Sequence, residues 1–299
     1  MQVSIARLPL CAAGLAVVVA AAVSGCGTSS GASAVGGDSS SPAPVSALDA
    51  VKLAAKTTNG ATSFTATMGI ALTVKPGATG ATATSGDIDM DATFAERLHP
   101  SLIVQMTISS MGGTGGSTLS GLTEVITPAT YYFKWAYLTS LLHLSKPWVA
   151  MPVSQVSKSS GMNLSQLFSE TTGNNPLAES QILGGATSVR QVGTGTMDGV
   201  PVTEYTGTLS IDKSLSDLSG SVKTQLEQAV ASEGFTTATF TVWIDGQHRV
   251  RRDVVIETGK DVTEKVDVTL TSINQPSSIT VPPAGQTAPL PSADAGSLG

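Results

Sequence analysis

The chain has 299 residues, of which 41% are hydrophobic and only 13% charged, with a formal net charge of −6. This balance excludes disorder throughout and permits a sizeable core, while its acidic sign argues against nucleic acid as a partner and against adhesion to anionic lipid through a basic face. Two cysteines and three histidines leave little material for disulfide, metal or thiol chemistry.

At the N-terminus, Arg7 precedes an uncharged apolar run from Leu8 to Val23, of signal-peptide length and short for a membrane span. The run closes on Val23-Ser24-Gly25-Cys26, which resembles the bacterial lipobox, whose cysteine is acylated and becomes the new N-terminus on cleavage. The expectation is a signal peptide over 1–25 and a lipidated Cys26, with palmitate-type chains holding the protein to the extracytoplasmic face of the cell membrane at roughly 0.8 kcal/mol per buried CH₂. An ordinary secretory signal with a chance cysteine is the alternative. Because Cys11 leaves with the signal, an acylated Cys26 excludes a disulfide. The small polar stretch Gly27 to Val45 makes 26–45 a flexible tether, with an r.m.s. reach of roughly 25 Å. Pro282-Pro283 begins the opposite boundary, so 46–283 reads as one folded domain and 284–299 as a disordered tail.

The domain opens with Ser46 and, three residues later, Asp49, a capping-box pattern for a helix that ends near Asn59-Gly60. Phe64, Ala66, Met68, Ile70, Leu72 and Val74 then alternate with small or polar residues, predicting a long strand with one buried face. Ile88, Met90, Ala92 and Phe94 repeat the pattern, as do Leu102, Val104, Met106 and Ile108, and close spacing predicts an antiparallel meander. Further strands are predicted at Leu122 to Thr127, at Tyr131 to Tyr137 with aromatics on both faces, and at Trp148 to Met151. Short helices are expected at Asn163 to Glu170 and Leu177 to Leu183, and a longer one at about Lys213 to Ser232. Strands at Thr187 to Gly195 and Val202 to Ile211 flank Asp198-Gly199; those at Thr236 to Ile244 and Arg249 to Thr258 flank Asp245-Gly246. A last strand runs from Val262 to about Ile273.

Catalytic machinery is not assembled. His99, His143 and His248 have no metal or acid-base spacing, and HExxH and CxxC are absent, so no cofactor or metal is expected. Gly27-Thr28-Ser29-Ser30-Gly31 matches GxSxG literally but lies in the tether, without the strand a nucleophile elbow requires. Asp87, Asp89 and Asp91 share one strand face, either a solvated edge or a cation site. Arg249, Arg251 and Arg252 form the basic cluster, either an exposed hairpin end or a contact for a phosphate or glycan headgroup.

Trp243-Ile244-Asp245 with Arg249 and Arg251, the run Asp198-Gly199-Val200-Pro201-Val202 leading into Tyr205-Thr206-Gly207, and Asn274-Gln275-Pro276 together resemble the actinobacterial LppX/LprG-type lipoproteins, relatives of the LolA carriers. The resemblance implies an α+β fold: a strongly curved antiparallel sheet, a half-barrel of about ten strands, with a few helices on its concave side. It also implies a hydrophobic cavity between helices and sheet that accepts the acyl chains of a lipid or lipoglycan cargo.

The expected areas of sheet and helices point to such a cavity independently. Ten strands at about 4.8 Å each make a sheet roughly 45 Å wide, and four helices at about 10 Å each, two of them short, cover it poorly. The candidate lipid-binding residues are Phe64, Met68, Ile70, Leu72, Met90, Phe94, Val104 and Met106; methionines on successive strands adapt to irregular apolar shapes, though they also serve ordinary cores. Gly112 to Gly116 and Ser157 to Gly161 are candidate gates. The reading is a non-enzymatic, membrane-anchored carrier of amphipathic lipid, with an envelope protein as a further candidate partner. A surface interaction or sensory lipoprotein with a solid core is the alternative.

Overall fold

The computed structural model describes residues 45–75, 86–97, 103–113, 119–141, 143–155, 182–217, 223, 227, 230–231, 234–235, 237–276 and 279–289. Helix α1 (Ala47–Asn59) begins as its sequence dictates: the Ser46 hydroxyl accepts from the Asp49 amide at 3.1 Å and donates to the Asp49 carboxylate at 2.6 Å. One stripe of the helix, Ala50, Val51, Ala54, Ala55 and Thr58, is buried, and its small side chains bring the helix axis close to the strands beneath.

Among the described residues twelve strands form one sheet: β1 (Ser63–Val74), β2 (Gly86–Arg97), β3 (Ile103–Gly113), β4 (Leu119–Ile126), β5 (Thr130–Lys134), β6 (Trp148–Pro152), β7 (Ala186–Met197), β8 (Val200–Ser210), β9 (Thr237–Asp245), β10 (Val250–Thr258), β11 (Val262–Ile273) and β12 (Thr287–Pro289). Their order is β12-β6-β5-β4-β3-β2-β1-β11-β10-β9-β8-β7, so the sheet is open and its two edge strands do not pair with each other. All pairings are antiparallel except that of β12 with β6. The architecture is a sheet-dominated α+β fold with few helices. Bulges between Thr65 and Ala66, Asp91 and Ala92, and Val250 and Arg252 add local twist and bend.

Several elements differ from expectation, the strand count among them: twelve where about ten were expected. The aromatic run breaks after Lys134, and Ala136–Leu141 is helix α2, so the strand predicted to reach Tyr137 stops three residues short. The structureless tail predicted from residue 284 is corrected as well: Ala284–Gln286 is a 3₁₀ turn and Thr287–Pro289 pairs with β6. Lys146 Nζ fixes this return by donating to the carbonyls of Ala284 at 3.3 Å and Thr287 at 3.1 Å. Helix α3 (Ile211–Asp217) starts two residues before the predicted helix, and residues 223, 227, 230 and 231 are helical too. The helix predicted over 163–170 and most of that over 177–183 lie outside the described residues, although Leu183–Gly185 forms a 3₁₀ turn.

The turn motifs have clear physical roles. Asp198 and Gly199, both at positive φ (49° and 77°), make the two-residue connection between β7 and β8. Asp245, 4% exposed, ties the β9–β10 turn by accepting from the Gln247 and Arg249 amides and from Arg249 Nε at 2.9, 3.0 and 2.9 Å. Asn274, at φ 58°, ends β11, and its Oδ1 accepts from the Thr62 amide at 2.7 Å, binding the last long strand to the start of the first.

The principal core joins α1, the 182–185 segment and α3 to β7–β10. It contains Val51, Ala54, Ala55, Leu183, Leu209, Ile211, Leu215, Ala238, Phe240, Val242, Ile244 and Val250. Gly207 sits opposite Phe240 within it, and a Cβ there would lie 2.0 Å from the Ser188 carbonyl oxygen and 2.8 Å from the Phe240 ring. Gly207→Ala is therefore expected to destabilise the domain by about 3 kcal/mol, read as a fall in the urea midpoint at unchanged slope. An unchanged midpoint would mean that β7 yields freely at this point.

Candidate functional site

Register carries one largely apolar face from β4 across to β9. Across β4, β3, β2, β1 and β11 the same face carries the row Leu122, Ile108, Ala92, Met68 and Val268, and beside it the row Glu124, Met106, Phe94, Ala66 and Leu270. The face continues through Asp253 and Val255 on β10 to Val242 and Phe240 on β9. It is covered unequally. Among the described residues, α1 and α3 pack on the β7–β10 half, whereas Met106 and Ile108, with Met68, Ile70 and Leu122 against them, form a separate apolar cluster on β1, β3 and β4.

The predicted cargo residues divide accordingly. Met68, Ile70, Leu72 and Val104 are half-buried on this face and Met106 is 9% exposed. Phe64, at 7% exposure, packs with Ala61, Ala66, Leu270 and Ile273, and Met106 and Ile108, at 9% and 6%, are buried as well, so the apolar surface left open in the second cluster is that of Met68, Ile70 and Leu122. Residues 90 and 94 pair in register with Ile70 and Ala66, which puts them on the same face. Residues 87, 89 and 91 pair with Thr73, Ala71 and Gly69, the opposite parity. Cys26, the gate at 157–161 and residues 114–116 of the glycine-rich gate lie outside the described residues.

The basic cluster is neither an exposed hairpin end nor a set of free cations. Arg249 pairs with Asp245 at 2.8 Å, and Arg252 grips Asp267 with two bonds, at 2.9 and 2.7 Å, while stacking 4.9 Å from the Trp243 ring. Arg251 is 7% exposed and donates to the Thr271 carbonyl at 3.4 Å. A depression of about 640 Å³ elsewhere is lined by Gly121, Lys134, Ala136, Thr139, Ser140, His143, Leu144 and Pro147, an even mixture of polar and apolar residues. Among the described residues no three His, Cys, Asp or Glu side chains gather as a metal site, and no helix is long and apolar enough to cross a membrane.

Acidic groups on the apolar face were missed by alternation alone, although Glu124, Asp253, Glu257 and Glu264 all fall on the parity of apolar neighbours. Burial, reinforced by the nearby Asp267 and opposed by Arg252, pushes the Asp253 carboxyl up to about 7. Burial, reinforced by Glu264 directly across the ladder, pushes Glu257 up to about 7. The folded chain thus keeps protons that the unfolded chain, with ordinary values near 4, releases between about pH 4 and 7. With fewer protons on the unfolded state, these groups make stability fall as pH rises through that window and level off above it. The expected result is a melting temperature lower at pH 7.5 than at pH 5.0, with a shallower slope in Asp253→Asn; a melting temperature that climbs from pH 5.0 to 7.5 would contradict it.

No protein-family model matches the sequence, and no curated protein matches it. Among solved structures the chain is similar to LprF from Mycobacterium bovis, at 15% identity over 79% of this chain and 96% of that one, with a TM-score of 0.45. It is similar to the lipoprotein LppX from Mycobacterium tuberculosis at 18% identity over 77% and 95% of the two chains, with a TM-score of 0.38. A LolA superfamily protein from Nitrosomonas europaea aligns at 10% identity over 75% of this chain and 92% of its own, with a TM-score of 0.27. LprF, LppX and a LolA superfamily protein are thus structures that this chain resembles.

Proposed function

We propose that the protein is a lipoprotein of the cell envelope, anchored through Cys26 on the extracytoplasmic face of the membrane, that binds amphipathic lipid or lipoglycan without catalysing a reaction on it. The observation that carries this reading is the division of the apolar sheet face. One half is packed under α1 and α3, while the cluster of Met68, Ile70, Met106, Ile108 and Leu122 stands apart from those helices. Acyl chains laid on the part of this half still open, the half-buried Met68, Ile70 and Leu122 above the buried Met106 and Ile108, gain about 25 cal/mol for each Å² of apolar surface removed from water. The methionines adapt to chains of differing shape. The anchor and the tether of 26–45 keep the binding face near the bilayer that supplies cargo.

Native mass spectrometry of the gently purified full chain tests the reading. A reproducible adduct with the mass of one or more envelope lipids is expected. A bare chain from every preparation, together with failure to take up added lipid, would leave the solid-core interaction module as the better account.

A further inference from the structure

Glu124 stands in an unusual place. Its neighbours on the apolar face are Leu122 and Ile126 along β4, Met106 across on β3 and Phe133 across on β5. Within this ring one described group meets the carboxylate: the Tyr131 hydroxyl, which donates to Glu124 Oε1 from the diagonal position on β5. A carboxyl group has two oxygens and room for about four accepted bonds, so one phenol leaves most of its capacity unused. Among the described residues Glu124 makes no ion pair. The adjoining cation, Lys134, lies on the opposite parity of β5 and stacks 5.4 Å from the Trp148 ring.

The surroundings hold the pair firmly. Phe133 is 8% exposed and its ring lies 5.8 Å from that of Tyr131, so the phenol has little freedom to turn away. Burial raises the Glu124 carboxyl above its ordinary range, the Tyr131 hydrogen bond opposing the shift, and the Tyr131 phenol is raised by burial and by Glu124. A lone acceptor amid apolar side chains weakens binding of pure hydrocarbon and rewards a ligand that brings a donor to that spot.

We infer that the Glu124–Tyr131 pair is the polar recognition point of the lipid-binding face, selecting lipids whose head carries a free hydroxyl that donates to the Glu124 carboxyl while the chains lie on Met68, Ile70, Met106 and Ile108. The inference rests on the proposed lipid binding and narrows its cargo to hydroxyl-bearing heads. Glycerol and sugar hydroxyls offer the same donor. The pair is a positioning and selecting device, not a catalytic one.

The test uses the full chain, stripped of copurifying lipid, and displacement of a fluorescent fatty-acyl probe by three competitors: dioleoylglycerol, its 3-O-methyl ether, and monogalactosyl dioleoylglycerol. Wild type should bind at least one of the two hydroxyl-bearing lipids about tenfold more tightly than the methyl ether, the scale of one hydrogen bond to a carboxyl group. The tighter of the two identifies glycerol or sugar as the source. Glu124→Leu should bring all three competitors to equal affinity, and the near-isosteric Glu124→Gln, whose carboxamide oxygen still accepts, should keep the preference. Equal binding of all three by wild type, or a preference that survives in Glu124→Leu, overturns this inference and leaves lipid binding standing. Failure of wild type to bind the probe or any competitor overturns both.

Discussion

Ile70→Glu lowers the affinity of the purified chain for a fatty-acyl probe at least about tenfold, while Thr67→Glu leaves it unchanged. Ile70 lies on the apolar face between Val266 on β11 and residue 90 on β2, and packs against the Met106–Ile108 cluster. A carboxylate there must stay hydrated or give up its water beneath an acyl chain, a penalty of several kcal/mol when no partner is supplied. Thr67 is exposed and three residues away on the opposite parity, so the same charge there meets water. Equal losses in both variants would mean that the charge acts on general stability; no loss in either would remove cargo from this face.

Cys26→Ser shifts the whole population from the membrane fraction to the soluble one, in a host that acylates lipoproteins, and removes the acyl mass from the N-terminal peptide. One acyl chain anchors marginally and two or more anchor stably, so losing the proposed acylation site should produce a complete change of location. With the tether outside the proposed binding face, probe affinity should be that of the wild type. A Cys26→Ser protein that still pellets with membranes would show that something other than this cysteine holds it there.

Local periodicity carried most of the fold into view. The six alternating residues from Phe64 to Val74 announce β1 because a strand buried on one side can tolerate apolar groups only at every second position. The end of β5 was not legible in the same way: Trp135 and Tyr137 have the strand propensity of their predecessors, yet the chain turns into α2. The return of residues 287–289 to β6 depends on the Lys146 contacts to two distant carbonyls, which no short window contains. Arg252 looked like surface charge because its partners, Asp267 and Trp243, sit on separate strands. For Glu124 the signal was present and needed a different question. An acid between Leu122 and Ile126 on a parity of apolar residues breaks the pattern that makes the strand legible, and such breaks are expected at functional or strained sites.

Acyl chains on the β1–β4 half of the apolar face are what the proposed function stands on. Photocrosslinking with a diazirine-bearing fatty-acyl lipid, followed by peptide mapping, tests it most directly. Labels concentrated on Met68, Ile70, Met106, Ile108 and Leu122 are the expected result. Labels confined to the α1-covered half around Val242 and Phe240, or spread over exposed positions such as Thr67, would contradict it.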